Sequence, residues 1–351
     1  MEEHKKYIKR ALELAQKGGG FVAPNPKVGA VIVSQGKIIG EGYHAKYGQK
    51  HAEVAAIEAV IDKTQLKNST LYVTLEPCSH HGQTPPCADL IIESQIPKVV
   101  AALSDSNPKV NGEGFKKLQN AGIEVITGIL ANEARSINQR FFTFWEQERP
   151  YIILKWAQTI DGFMDINLPH TALRQNYWIS NEEMKIRVHQ WRAEESAIMV
   201  GMNTLQNDNP ALTARYGNLK NPIRITIDTK NTLSNMSLQK YRFFDNNQTA
   251  IVFHFGEEKQ VKNTYFYTLN QQENIVNQVV NKLYQLKITS LLVEGGNAVL
   301  KLFLETDLWD EMRVIEGNKC FGSGLKAPDL RPYKASIETV GDNKLLIFKN
   351  I

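Results

Sequence analysis

Between His51 and Cys87 the chain sets out the parts of a hydrolytic metal site: His51-Ala52-Glu53, an apolar run from Leu71 to Leu75, Glu76-Pro77-Cys78, and a second cysteine, Cys87. One imidazole and two thiolates give zinc three protein ligands and leave its fourth tetrahedral position to water, which is how catalytic rather than structural zinc is held. Zinc lowers the pKa of its water from about 15.7 to about 7, so a nucleophile for an electrophilic carbon is present at neutral pH. His51, Cys78 and Cys87 are the expected ligands, and Glu53 is left free to move protons. The bland alternative is two buried cysteines beside an ordinary helix. Only three cysteines occur in 351 residues, and two of them stand nine apart, each directly after a proline. Packing alone explains that spacing poorly. His80 and His81, in the loop between the cysteines, could touch substrate or simply be solvated.

Residues two apart do not stack on one helix face, so the metal should sit over helix ends. His51 precedes the helical stretch Ala52 to Val60, and Pro85-Pro86 precedes Cys87 and Ala88 to Ile92, as prolines do at helix starts. Two helix N-termini facing the metal would favour thiolate and hydroxide. Around them the pattern predicts a helix over Lys5 to Gln16 and a hairpin of Val28–Val33 and Lys37–Tyr43 turning at Ser34-Gln35-Gly36. Strands follow at Leu71–Leu75, Val99–Leu103 and Glu124–Thr127, with helices at Gly114–Asn120 and Asn132–Trp145. This order implies a three-layer α/β/α domain. Gln147-Glu148-Arg149-Pro150 breaks the last helix, so the expected domains are 1–146 and 147–351.

Two domains also suit the length. Hydrophobic residues make up 42%, and no apolar run approaches the about eighteen residues needed to cross a bilayer. The charged start Met1-Glu2-Glu3-His4-Lys5-Lys6 does not read as a signal peptide. With two cysteines committed to metal and Cys320 alone, no disulfide framework is expected and the cytoplasm is the expected compartment. A net charge of +4, with cations interspersed among acids, gives nucleic-acid binding little support.

The second half alternates strands and helices: strands at Ile152–Trp156, Ala197–Gly201, Ile223–Ile227, Ala250–His254 and Ser290–Glu294, and helices at Asn181–Trp191, Asn274–Leu286 and Ala298–Leu304. No Gly-x-Gly-x-x-Gly follows any of these strands, which argues against a Rossmann domain. Glu294-Gly295-Gly296-Asn297 ends an apolar strand before a helix, where glycines let backbone approach a pyrophosphate. Arg192 and Arg215 suit a phosphate clamp, since a guanidinium presents a planar fork of donors, but either could be a surface ion pair. Lys155 and Asp208 could polarise a substrate or supply a proton, or be structural.

The His-x-Glu and Pro-Cys pattern resembles the cytidine-deaminase-like superfamily. Nucleic-acid deaminases usually place two residues between the cysteines, whereas eight stand here, Ser79 to Pro86. That insert, with Pro24-Asn25-Pro26, Gly42-Tyr43-His44 and Asp105-Ser106-Asn107-Pro108, resembles the bifunctional riboflavin-biosynthesis deaminase/reductase family over nearly the whole chain. Lys155-Trp156-Ala157, Trp178-Ile179-Ser180, Arg192-Ala193-Glu194, Asp208-Asn209-Pro210 and Val293-Glu294-Gly295-Gly296 extend the likeness into the second half. The resemblance implies an α/β protein with a cytidine-deaminase-like N-terminal domain and a dihydrofolate-reductase-like C-terminal domain. It implies zinc and NADPH as cofactors and a phosphorylated pyrimidine as substrate, deaminated hydrolytically and then reduced at its ribosyl chain. A homo-oligomer is expected. NADPH would meet Ala157, Trp178, Thr204, Asp208, Thr229, Gly296, Asn297, Ala298, Val299, Leu300, Lys301 and Leu302. Substrate would meet Asn25, His44, His80, Asn176, Arg192, Leu212, Arg215 and Glu294. Two departures stand out: the segment 163–176 lacks the family's small residues, and Gln83 stands where Lys or Arg is common. The rival expectations are a nucleobase or tRNA deaminase with an accessory C-terminal domain, and a non-catalytic zinc-stabilised binding protein. The latter needs four protein ligands and no adjacent Glu53.

Overall fold

The computed structural model describes residues 1–79, 85–108, 110–166, 177–217, 219–235, 237–331 and 333–350. His80, His81, Gln83 and Asn176 lie outside the described residues, as does most of the divergent 163–176 segment. The chain forms two compact units, Met1–Glu148 and Arg149–Ile351.

The first unit runs α1 (Glu2–Gln16), β1 (Gly29–Ser34), β2 (Lys37–Tyr43), α2 (Ala52–Ala59), β3 (Ser69–Val73), α3 (Cys87–Glu93), β4 (Lys98–Ala101), α4 (Glu113–Asn120), β5 (Glu124–Ile126), α5 (Ala131–Ile137) and α6 (Gln139–Glu146). Its sheet has the order β2-β1-β3-β4-β5, with β1 antiparallel to both neighbours and β3, β4 and β5 parallel. Every residue of β1 is buried because both sheet faces are covered. Strand alternation sends Ala30 and Ile32 toward the apolar faces of α2, α3 and α4, and Val31 and Val33 toward α1 and α5. This is the expected α/β/α sandwich.

One expected helix is two. Asn138, 4% exposed, takes non-helical backbone angles between α5 and α6. Its side chain accepts the Lys27 N–H at 2.8 Å and donates to the Lys27 carbonyl at 2.9 Å. A side-chain amide that satisfies remote backbone groups in this way competes with helix continuation.

The second unit holds β6 (Tyr151–Thr159), β7 (Phe163–Asp165), α7 (Glu182–Glu194), β8 (Ala197–Gly201), α8 (Met202–Asp208), β9 (Ile223–Asp228), β10 (Ala250–His254), β11 (Lys259–Val261), β12 (Thr264–Thr268), α9 (Ile275–Gln285), β13 (Ser290–Val293), α10 (Asn297–Glu305), β14 (Glu311–Gly317), β15 (Leu325–Lys326), β16 (Ala335–Val340) and β17 (Asn343–Lys349). The main sheet has the order β11-β12-β10-β9-β8-β13-β6-β14-β17-β16, parallel from β12 to β14 and antiparallel at both edges. Ile152, Leu154, Leu291 and Val293 pack with α9 and α10, while Tyr151, Ile153 and Leu292 pack with α7 and α8. Apolar runs buried on both faces are what a parallel sheet requires. The strands β7, β11, β12, β14, β15, β16 and β17 were not anticipated. In β16, Ser336, Glu338 and Thr339 interrupt the apolar pattern that marks the anticipated strands.

Candidate active sites

In the first unit, β2 and α2 approach so closely that a Cβ on Gly42 would lie 2.4 Å from the Ala56 nitrogen. Glycine there lets α2 seat against the sheet, which places its N-terminus. His51 is the extended residue just before α2, Glu53 lies in the first turn, and Cys87 opens α3 after Pro86. The two helix starts thus converge as their spacing required. The donor atoms of His51, Cys78 and Cys87 lie within 4.8 Å of one another. His51 Nδ1 is 3.6 Å from Cys78 Sγ and 3.3 Å from Cys87 Sγ. A tetrahedral zinc site with ordinary Zn–N and Zn–S bonds has ligand-to-ligand edges of about 3.5–3.8 Å, so these residues fit the ion.

The Cys87 backbone N–H reaches Cys78 Sγ at 3.3 Å. Hydrogen bonding from Cys87, with the imidazole of His51, holds the Cys78 thiol down at about 4, although burial opposes it. Glu53 is 3% exposed. Burial, aided by charge on Cys78, pushes its carboxyl up to about 7, where it can both take and give a proton near neutral pH.

His44, 2% exposed, sets Nδ1 3.0 Å from the Lys50 carbonyl, and its Nε2 is 3.2 Å from Asn25 Nδ2. Donation from Nδ1 to Lys50 leaves Nε2 to accept from the Asn25 amide, which turns the Asn25 oxygen away from His44. The two expected substrate residues are therefore one assembly, and the His44 ring stands edge-on to His51 at 5.4 Å.

Glu76 had no assigned role, yet it organises this neighbourhood. Its carboxylate, 4% exposed, accepts the N–H groups of Asp105 at 3.1 Å, Gly112 at 3.0 Å, Gly114 at 2.9 Å and Phe115 at 3.4 Å. It ties the Asp105 loop and the start of α4 to the residue two before Cys78. An ionisable residue closing an apolar strand ahead of Pro-Cys was the available signal. Burial pushes Asp105 up to about 7, with the charges of Glu76 and Cys78 adding to the effect against a hydrogen bond from the Asn107 N–H.

In the second unit, the parallel strands carry the expected residues to their C-terminal ends, where open α/β sheets bind ligands. Val293 pairs with Leu154, which sets Glu294 beside Lys155. Glu294 Oε2 lies 3.7 Å from Lys155 Nζ and 2.6 Å from Arg192 Nη2, while Arg192 Nε donates to Glu294 Oε1 at 2.8 Å. Burial alone would raise Glu294, but Arg192 and Lys155 bring it to about 2. Burial, reinforced by Arg192, lowers Lys155 against the pull of Glu294. Arg192 was expected to clamp phosphate; its Nε–Nη2 fork instead meets Glu294, and Nη1 donates to the Thr213 carbonyl at 3.3 Å.

Other expected residues divide by exposure. Trp178 is exposed, with its carbonyl accepting from Lys319 at 2.6 Å and Lys185 over its ring at 4.0 Å. Asp208 at the end of α8, Thr229 just past β9, Arg215, Ala298 and Lys301 are exposed, and Ala157, Thr204, Asn297 and Leu302 are partly so. Leu212, Val299 and Leu300 are placed in the core instead, 3%, 6% and 0% exposed.

The surroundings of Gly296 fit a dinucleotide phosphate. Gly296 precedes α10 with no side-chain cap, as Gly201 does for α8, and the Gly201 N–H donates to the Gly295 carbonyl at 3.2 Å. Two uncapped helix N-termini therefore lie side by side. Asn297 Oδ1 is buried without a hydrogen-bond partner.

A hydrolytic zinc site with its own buried carboxylate, followed by a parallel-sheet unit with a buried lysine, glutamate and arginine beside a phosphate-type turn, defines a fused deaminase and reductase. Residues 1–103 match the cytidine and deoxycytidylate deaminase zinc-binding region, and residues 150–342 match the RibD C-terminal domain. The riboflavin biosynthesis protein RibD of Aquifex aeolicus is 41% identical, with 99% of each chain covered, and that of Escherichia coli K12 is 35% identical, covering 98% of this chain and 95% of its own. A diaminohydroxyphosphoribosylaminopyrimidine deaminase/5-amino-6-(5-phosphoribosylamino)uracil reductase from Thermotoga maritima superposes with a TM-score of 0.89 at 38% identity, covering 100% of this chain and 99% of its own. RibD from Acinetobacter baumannii superposes at 0.88 with 29% identity and 99% of each chain covered. The chain belongs to the RibD family of riboflavin biosynthesis proteins.

Proposed function

We propose that this chain deaminates 2,5-diamino-6-ribosylamino-4(3H)-pyrimidinone 5′-phosphate in its first unit and reduces the deaminated product in its second. The observation that carries the reading is the coexistence, in one chain, of the His51–Cys78–Cys87 triangle beside buried Glu53 and the Lys155–Glu294–Arg192 cluster.

His51, Cys78 and Cys87 would hold a zinc ion, which would supply an activated water. Glu53 takes a proton from the attacking water and passes it to the departing ammonia, a relay worth roughly 10² to 10⁴ in rate. Asn25, oriented by His44, holds the pyrimidine, and His80 is a further proposed contact. NADPH bound at the Gly296 turn before α10 would supply hydride for reduction at C1 of the opened ribose. Lys155 protonates the nitrogen of the C1=N bond of the opened ribosylamine as C1 is reduced, a role its lowered pKa assists, while Glu294 fixes the ammonium in place. Arg215 meets the phosphate, and Asn176 and Asp208 complete the substrate and cofactor contacts. Three unpaired cysteines accord with a reducing compartment, the cytoplasm, and a homo-oligomer is the proposed assembly. No helix of the described residues is long and apolar enough to cross a membrane.

The test is purified protein with the diaminopyrimidinone phosphate, reading ammonia release and NADPH consumption separately. Both signals, in that order, are expected. Ammonia without NADPH consumption would remove the second half of the reading, and neither signal in zinc-loaded protein would remove it all.

A further inference from the structure

His189 stands on α7 one turn before Arg192, 5% exposed, and no role in the chemistry has been given to it. Its Nδ1 lies 2.8 Å from the Thr213 carbonyl oxygen and 3.2 Å from the Arg215 backbone nitrogen. One ring nitrogen serves one of these at a time: protonated it donates to Thr213, and bare it accepts from Arg215. Either way the ring ties the backbone of residues 213–215 to α7. The Thr213 carbonyl also accepts from Arg192 Nη1, so His189 and the Glu294-bound arginine grip the same peptide group.

The gripped segment is not a relaxed one. Leu212 and Tyr216, which bracket it, hold φ values of 51° and 72°. Side-chain-bearing residues in the left-handed region are strained and persist only where their surroundings hold them. Leu212 is anchored in the core and 3% exposed, and the Tyr216 ring stands edge-on to His189 at 5.2 Å. Between these anchors Arg215 is exposed. His189 faces Arg192 on its own helix, Glu294 beyond β13, and Arg215 and Tyr216 on the segment it holds. Burial, with the charge of Arg192, lowers its pKa, which favours a neutral ring between two arginines.

We infer that His189 is a positioning residue of the reductase site: it holds the strained 212–216 segment against α7 so that Arg215 is presented to the phosphate of the substrate. The inference rests on the proposed role of Arg215. It concerns binding of the phosphorylated substrate, not hydride transfer, so its signature is a change in KM with kcat preserved.

The test uses the full-length zinc-loaded protein, supplied with 5-amino-6-(5-phosphoribosylamino)uracil and NADPH. His189→Leu, which keeps bulk but no hydrogen bond, should raise KM for the uracil about tenfold, the equivalent of roughly one hydrogen bond. The kcat, the KM for NADPH and ammonia release from the first unit should stay within about twofold. His189→Asn, whose amide can donate or accept near the Nδ1 position, should restore most of the affinity. Arg215→Ala should raise the same KM, and adding His189→Leu to it should raise it little further, as expected of residues acting through one contact. If Arg215→Ala leaves KM unchanged, the phosphate role of Arg215 fails and the inference with it. A raised KM in Arg215→Ala beside a normal KM in His189→Leu overturns the inference alone. Loss of kcat or of NADPH affinity in His189→Leu without rescue by Asn makes the residue merely structural and overturns it too.

Discussion

Glu53 and Glu294 are both buried carboxylates in functional clusters, but their neighbours move them in opposite directions. Burial pushes Glu53 up to about 7, a value suited to proton transfer, whereas Arg192 and Lys155 bring Glu294 to about 2, where it stays an anion that orients cations. Glu53→Gln should therefore abolish ammonia release while zinc content stays at wild-type level, because the carboxylate is not a ligand. Cys78→Ala should instead release the metal, one of three protein ligands being gone. Metal analysis beside the ammonia assay separates the two, and zinc loss in Glu53→Gln would make Glu53 a ligand rather than a relay. At this scale His51, Glu53, Cys78 and Cys87 were legible because residue type and spacing limit what they can do. Glu76 was not, since its four backbone partners lie up to 39 positions away.

Among the elements, the turn before α10 and the pairing of β14 with β17 are the most exposed to test. Gly296 has φ +79°, a conformation that strains a β-branched residue by roughly 1–3 kcal/mol. A Cβ there would also point to Thr204 Oγ1 and Gly201 Cα at 3.4 and 3.5 Å. Gly296→Val should lower the thermal midpoint, weaken NADPH more than tenfold by titration, and leave ammonia release intact. Unchanged affinity in the folded variant would place the cofactor elsewhere. On β14, Glu311 lies between Arg313 and Lys349 and accepts from the Tyr151 hydroxyl. Burial would raise its pKa, but those cations bring it to about 2. The folded value is below the unfolded one, about 4.3, so the stabilisation is complete above that range and is lost as pH falls through about 2. Glu311→Gln should be less stable at pH 7 and lose less stability than wild type between about pH 4.5 and 2. Parallel acid-denaturation curves would remove Glu311 from the account. The junction between α5 and α6 makes the complementary point about legibility. The apolar pattern there is continuous, and only the distant backbone of Lys27 makes Asn138 a break.

For the molecule as a whole, two chemistries in separate compact units should fail separately. Lys155→Met should end NADPH consumption while ammonia is still released at the wild-type rate, and Glu53→Gln should still reduce supplied deaminated intermediate. Loss of both activities in a folded Lys155→Met protein would contradict separate sites. The sequence by itself determined the α/β character of both halves and pointed to the meeting of His51, Cys78 and Cys87 beside Glu53, because helix starts, buried strands and ligand chemistry are local properties that spacing and residue type express. Tertiary structure alone decided which members of the second half meet. Glu294 joins Lys155 through the register of β13 with β6, and the Arg192 fork meets a carboxylate 102 positions away rather than lying open to solvent. Leu212, Val299 and Leu300 turned into the core for the same reason: which face of an element is inward depends on strand order and on what packs against it. Strand neighbours such as β13, β6 and β14 are far apart along the chain, and no local pattern records that they will be adjacent.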